Sequence, residues 1–376
     1  MSSWIKNINL EGDKTIWGVV LALSLSSVLV VYSTAGWHFL FSHITKLLLG
    51  LFAMYVVHKI KFKYFSKLGQ LGFLFSLFLL VLVLLIGVSV NGASRWLQIA
   101  GQQFQPSDVA KLAILVYMAR QISKQRDYLH DFKELFWHVL GPLILVCVLI
   151  LPNNFSTAAL VFINGLVLMF VGKIRIKFIA AIIGFAFVGA LTIYATAKFT
   201  PLGTKIMPRS ATWVSRIDSF FVDAKGDEQT KDFQQTQALV AIQNGGMTGV
   251  GPGKSTQRNI LPYSSSDFIY AIIIEEYGLF GGVLALLFYL ILMFRAIRIA
   301  LRVESVFGSL LATGLMFSLV FQALINMLVS VEVLPVTGQT LPLISMGGTS
   351  IVFSCIAIGI VLSVSRDATD RKYEKA

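Results

Sequence analysis

The chain has 376 residues, 56% of them apolar and only 13% charged, with a mean hydropathy of +0.76. A soluble globular protein carries about 25% charged residues, so this composition excludes that class and defines an integral membrane protein. The net charge of +12 must then be read against a bilayer before nucleic acid is invoked as its cause.

Apolar runs predict membrane helices near 16–34, 40–58, 69–88, 107–120, 137–151, 156–172, 177–197, 271–294, 307–330 and 342–364. Most approach the 17 to 25 residues that cross a ~30 Å hydrocarbon core, and the short ones could tilt, break or pair as hairpins. Helices are required because an open sheet cannot satisfy its backbone in lipid. The expected fold is therefore an all-α polytopic membrane protein of about ten transmembrane helices, one domain over residues 1–376.

Orientation follows from the basic residues. With the N-terminus inside, the segments 59–67, 120–133, 172–177, 295–302 and 366–376, together with Lys6 and Lys14, hold 20 of the 31 Lys and Arg. Both termini are then cytoplasmic, the first span is an uncleaved anchor, and the positive charge reports topology with no nucleic-acid role. One connection is long: residues 198–270, between spans seven and eight, form a large extracytoplasmic loop. Helical spacing in 209–221 and 230–243, the second ending at Gly245-Gly246, predicts an ordered cap.

Several motifs are decoys. GVGPGKST (249–256) resembles a phosphate-binding loop, but the pattern needs glycine where Thr248 stands, and no strand precedes it. A glycine-rich turn whose amides and Lys254 hold a phosphate remains an alternative to a plain flexible loop. Cys147 and Cys355 fall inside spans and read as small apolar packers. The five histidines show no ligand spacing, so a His-bound metal is not expected.

Three outward stretches carry more chemistry. NGASRWLQIAGQQFQPSDVAK (91–111) ends with Pro106 at a helix start and puts Asp108 and Lys111 three residues apart on one helical face, as a salt bridge or a functional pair. VEVLPVTGQTLPLISMGGTS (331–350) is a Pro- and Gly-rich connection, with Gly347, Gly348 and Ser350 suited to close helix packing. SSSDFIYAIIIEEYG (264–278) places Asp267, Glu275 and Glu276 at the head of span eight. On a continuous helix Glu275 lies about 80° around and ~12 Å along from Asp267, and Glu276 about 180° away. Neither can form the ~5–5.5 Å carboxylate pair of a retaining glycosidase with it. Asp267 reads as either a base or an N-cap. One glutamate is expected in a polar cavity and the other in helix packing with a buried partner.

The stretches NGASRWLQ, QPSDVAK, QALVAIQNGGMTGVGPGKSTQRNILPYSSSDFIYAIIIEEYG and LPVTGQTLPLISMGGTS, in this order over roughly 85–365, resemble the SEDS family of FtsW, RodA and SpoVE. The run GVGPGKSTQRNILPYSSSDFIYA is more similar to the division branch, FtsW, than to RodA. The resemblance implies a peptidoglycan glycosyltransferase of the bacterial cytoplasmic (inner) membrane that polymerises lipid II on the outer face. It implies Asp267 as the essential acidic residue, the candidate catalytic base. Candidate substrate-binding residues are Arg95, Asp108, Lys111, Arg216, Lys254, Arg258, Glu275, Ser345, Gly347 and Gly348, with Arg209 a further cation for the pyrophosphate. The implied partners are a class B penicillin-binding protein transpeptidase and other divisome proteins. A divalent cation, Mg or Mn, is a candidate aid at the pyrophosphate, but the sequence offers no dedicated metal cage. Departures from the family pattern are Asp108 where Glu is common, PNNFSTA (152–158) without its usual acid, and SMGGTS without its aromatic. A lipid II flippase and a non-catalytic division scaffold are the alternative functions.

Overall fold

The computed structural model describes residues 11–90, 93–99, 102–126, 128–200, 209–223 and 233–374. Lys6, one of the basic residues used for orientation, falls outside them.

Helices overlie the predicted runs, with informative differences at their ends. The first two runs form one 46-residue element, α1 (Lys14–Lys59), bent at Gly36, whose φ of 74° breaks the helix without a loop. The start of α1 is fixed by Asp13, whose carboxylate accepts from the amides of Thr15 and Ile16 and binds Arg295, near the C-terminal end of the helix that starts at Ile269. An N-cap of this kind satisfies amides that a helix start leaves open. Then come α2 (Phe65–Ile86), α3 (Pro106–Lys124), α4 (Phe132–Ile150), α5 (Phe155–Val171) and α6 (Ile176–Phe199). The apolar runs of α1, α2, α4, α6 and the helices from 269, 306 and 350 are each long enough to cross a membrane. Almost all of α6 faces outward, with Phe185 and Phe187 exposed, as an all-round apolar helix does in lipid.

After the third predicted run, β1 (Val88–Val90), β2 (Ala93–Ile99) and β3 (Gln102–Phe104) form a three-stranded antiparallel sheet that the apolar runs do not announce. Val88 pairs with Trp96 and Leu97 with Phe104. Leu97 then packs on Leu79 and Val83 of α2, which seats the sheet over the bundle.

Between α6 and the next membrane helix, α7 (Ser210–Asp223) and α8 (Phe233–Gly245) fall where helical spacing predicted them. The element α9 (Ile269–Arg302) begins after Asp267 and runs through the basic stretch 295–302 that the sequence suggested as a connection. At 1.5 Å per residue its 34 residues span about 51 Å, more than a bilayer core needs. It bends at Gly278 (φ 69°), where the loop after α8 lies against it. A β-carbon on Gly278 would sit 2.2 Å from the carbonyl oxygen of Met247. Gly278→Ala is therefore expected to destabilise the protein by at least ~2 kcal/mol through strain and displaced backbone, read as a lower melting temperature in detergent. The fold closes with α10 (Val306–Ser330) and α11 (Ser350–Glu374). The predicted tenth run began at 342, but 331–349 has no α-helix, because Pro335, Gly338 and Pro342 interrupt it.

Candidate active site

At the end of the bundle opposite Asp13 and Arg366, a cavity of about 660 Å³ is enclosed by the second half of α1, the sheet, the starts of α3 and α5, α7, and the segments 263–267 and 336–350. Each of these pieces belongs to a connection, or the end of a helix, that topology assigned to the same side. Their convergence is what turns separate loops into one site.

The lining is strongly cationic. Arg95 reaches in from β2 and donates through Nε to the carbonyl of Asn153 (2.7 Å), and Arg209 donates to the same oxygen (3.2 Å). Arg216 on α7 donates to the Val336 carbonyl (3.0 Å). Lys46 and Lys111 complete the cationic lining. Burial first, then repulsion from Arg209 and Arg216, pushes Arg95 down to about 10, so it remains charged at neutral pH. Burial and Arg216 lower Arg209 as well. Charges of one sign held together at such a cost mark a site built for an anion.

Asp267 stands among them. Burial raises its pKa, against the opposing pull of a hydrogen bond from Ser266 and the charges of Arg216 and Arg95. It does not cap α9: the N-cap position is Phe268, with no side-chain hydrogen bond. This removes the structural alternative for Asp267. It also removes the continuous helix assumed between Asp267 and Glu275.

The structure brings Arg95, Asp108, Lys111, Arg216, Asp267, Gly347 and Gly348 to this one cavity. Asp108 is 7% exposed and no Asp108–Lys111 ion pair occurs among those of the described residues; instead Lys111 Nζ donates to Gln322 Oε1 at 2.6 Å. Gly347 is not a close-packing glycine, since a β-carbon there would have 3.6 Å to its nearest neighbour.

Four predicted residues, Lys254, Arg258, Glu275 and Ser345, are not among those that line this cavity. Glu275 is fully buried and receives the Ser255 hydroxyl, the Thr256 hydroxyl (3.0 Å) and the amides of Thr256 (3.2 Å) and Gln257 (3.4 Å). The last amide of the GVGPGKST turn, that of Thr256, and the Gln257 amide after it are thereby taken by the protein's own carboxylate. Lys254 is exposed on that turn, outside the cavity lining. Arg258 donates to the Ser33 carbonyl of α1 (2.9 Å), and Ser33 donates to Glu276. Neither glutamate lines the cavity; one holds the loop and the other holds α1. Ser345 is also buried and donates to the Ser266 carbonyl (2.6 Å), behind the cavity wall.

Sequence reasoning missed Lys46, Gln322 and Asn326. All three lie inside apolar runs, where a lone lysine or amide is itself the signal. No group of three or more His, Cys, Asp or Glu suited to a metal occurs among the described residues, and the carboxylates of the cavity are flanked by cations. This donor set does not fit a protein-caged divalent ion, and no step below runs through one.

Fold and site together define a multi-pass helical membrane protein with a cationic, carboxylate-bearing cavity at one end of its bundle. Residues 11–370 match the cell cycle protein family that groups FtsW, RodA and SpoVE. A curated protein of Geobacter sp. (strain M18) named "Probable peptidoglycan glycosyltransferase FtsW" is 32% identical over 358 residues, 93% of each chain. Stage V sporulation protein E of Bacillus subtilis is 31% identical, over 85% of this chain and 84% of its own. Among solved structures, a chain of a peptidoglycan synthase complex superposes with a TM-score of 0.77 at 24% identity, covering 95% of this chain and 98% of that one. Rod shape determining protein RodA of Thermus thermophilus does so at 0.69 and 24%, covering 95% and 97%. The chain belongs to the FtsW, RodA and SpoVE family.

Proposed function

We propose that this protein is a peptidoglycan glycosyltransferase that polymerises lipid II into glycan strands on the extracytoplasmic face of the bacterial inner membrane, in septal wall synthesis. The observation that carries the reading is the carboxyl of Asp267 set among Arg95, Arg209, Arg216, Lys46 and Lys111 in one cavity. Glycan extension needs a base for a sugar 4-hydroxyl and positive charge for a departing pyrophosphate. Asp267 takes the hydroxyl proton as the oxygen attacks the anomeric carbon of the second sugar. The bond from that carbon to the pyrophosphate oxygen breaks, and the undecaprenyl pyrophosphate leaves with its electron pair toward the guanidinium groups.

Both termini are cytoplasmic in this reading, and 198–270 is an extracytoplasmic loop of a single domain over 1–376. The Asp13–Arg295 and Arg366–Glu11 contacts that gather the two chain ends at one pole support this arrangement. The relatives named as glycosyltransferases support the reaction, and the likeness to a chain of a synthase complex supports a partner, read here as a class B penicillin-binding protein within the division machinery. The test is purified protein, alone and with that transpeptidase, incubated with labelled lipid II in detergent. Glycan polymer is the expected product. Transbilayer movement of lipid II in vesicles with no polymer would favour a flippase, and neither activity would favour a scaffold.

A further inference from the structure

Three successive backbone carbonyls ahead of α9 are held by one partner wall. Ser265 O accepts from the amide of Met346 (2.8 Å), Ser266 O from the Ser345 hydroxyl (2.6 Å), and Asp267 O from Asn326 Nδ2 (2.7 Å). Fixing three consecutive peptide planes fixes the direction of the Cα–Cβ bond of Asp267, because only two soft dihedrals per residue remain to be set. The partners come from α10 and the connection after it, so the chain carrying Asp267 is referenced to a helix remote from it in sequence.

Asn326 is the member of this wall that lies on a helix, α10. It is 1% exposed, and its Nδ2 donates to both Asp267 O and Gln339 O, each at 2.7 Å. Both partners are acceptors, so the position demands an NH₂ group; a carboxylate would set oxygen against oxygen. An amide in an apolar membrane helix costs free energy unless it is paired, and a leucine would pack there without that cost. One turn earlier on the same helix, Gln322 accepts from Lys111 Nζ (2.6 Å) and donates to the Thr340 carbonyl (2.9 Å). Residues four apart share a helix face. A single face of α10 therefore holds the backbone of Asp267 and the head of Lys111 in one frame.

We propose that Asn326 is a positioning residue for Asp267, the anchor of a clamp, completed by Ser345, that aims the carboxyl into the cavity; this rests on the reading of Asp267 as the base. The clamp touches no substrate and acts through the base alone. A misplacement of about 1 Å costs roughly a hundredfold in rate. Asn326→Leu is therefore expected to lower kcat for lipid II polymerisation by about ten- to a hundredfold while KM stays within about twofold, the pattern of an interaction that serves the transition state only. Because burial dominates the environment of Asp267, loosening it moves the acid limb of the pH–rate profile to lower pH. Amide hydrogen exchange over 263–270 rises as well.

The assay uses the full chain with its transpeptidase partner. An unchanged kcat overturns the proposal, and so does a lower melting temperature with the acid limb and 263–270 exchange unmoved, which is the result of a purely structural tie. If Asn326→Leu does not fold, Ser345→Ala removes one hydroxyl from the same clamp; a smaller kcat loss with the same limb shift supports it, and wild-type behaviour overturns it. Asp267→Asn runs beside these variants. Polymerisation by that variant at the wild-type rate sinks the base reading, and hydrogen exchange then still reports whether the clamp orders 263–270.

Discussion

Asp267→Asn is expected to reduce lipid II polymerisation by about 10²- to 10⁴-fold, the range that a positioned general base contributes. The amide keeps the shape of the side chain, and the backbone contacts of Asp267 to Asn326 and of Ser266 to Ser345 do not involve the carboxyl. Folding and melting temperature should therefore hold while activity collapses, and polymer length on gels with labelled lipid II gives the readout. The pH dependence follows with a definite sign. Asp267 works as a base only when ionised, and burial raises its pKa above the ordinary carboxylate value of about 3.9. Activity should be present above that raised value and lost as pH falls through it. Arg216 and Arg95 oppose the rise, so Arg216→Ala should move the acid limb to higher pH, beyond any loss of substrate affinity. An acid limb that stays fixed in Arg216→Ala would assign the titration to another group.

Much of this fold was legible because bilayer physics leaves few options. Apolar run length located the helices, and the basic stretches marked one pole of the bundle. The misreadings have physical causes. The predicted runs 16–34 and 40–58 are both helical, but no loop separates them, because a single glycine of positive φ at 36 turns the chain on its own. The sheet has a sequence signal in the hairpin dipeptide Asn91-Gly92, but its strands of 3, 7 and 3 residues are too short to stand out as apolar runs. At the site, Asp267 was found through the resemblance, while Arg95, Lys111 and Arg216 came from charge on outward segments. Lys254 and Arg258 satisfied the same criterion and sit elsewhere, since charge and side cannot tell a cavity wall from a loop surface. Gln322 and Asn326 escaped because their role depends on 331–345 folding back onto α10, a long-range pairing that no local pattern encodes.

Glu275→Ala is expected to cost about 3–5 kcal/mol, because it leaves buried donors of the 255–257 turn without partners at about 1–3 kcal/mol each. The adjacent glutamates are explained by what surrounds them. Their own backbone carbonyls accept from Val250 and Gly251 (2.9 and 3.0 Å). The loop therefore lies across α9 at just this level. Glu275 turns its carboxylate to the far limb of the loop, Ser255 to Gln257, while Glu276 turns to Ser33 of α1. Two acids side by side on a helix diverge by about 100°, which is what two unlike neighbours require. Glu275→Gln retains an acceptor for the amides and should cost only about 1 kcal/mol, whereas Lys254→Ala, on the exposed tip of the same turn, should fall within about ±0.5 kcal/mol. Unfolding in detergent with increasing denaturant separates the three. The ordering also separates the two accounts of the loop: if it existed to hold phosphate through Lys254, that variant would lower lipid II affinity, and Glu275→Ala would harm affinity no more than stability.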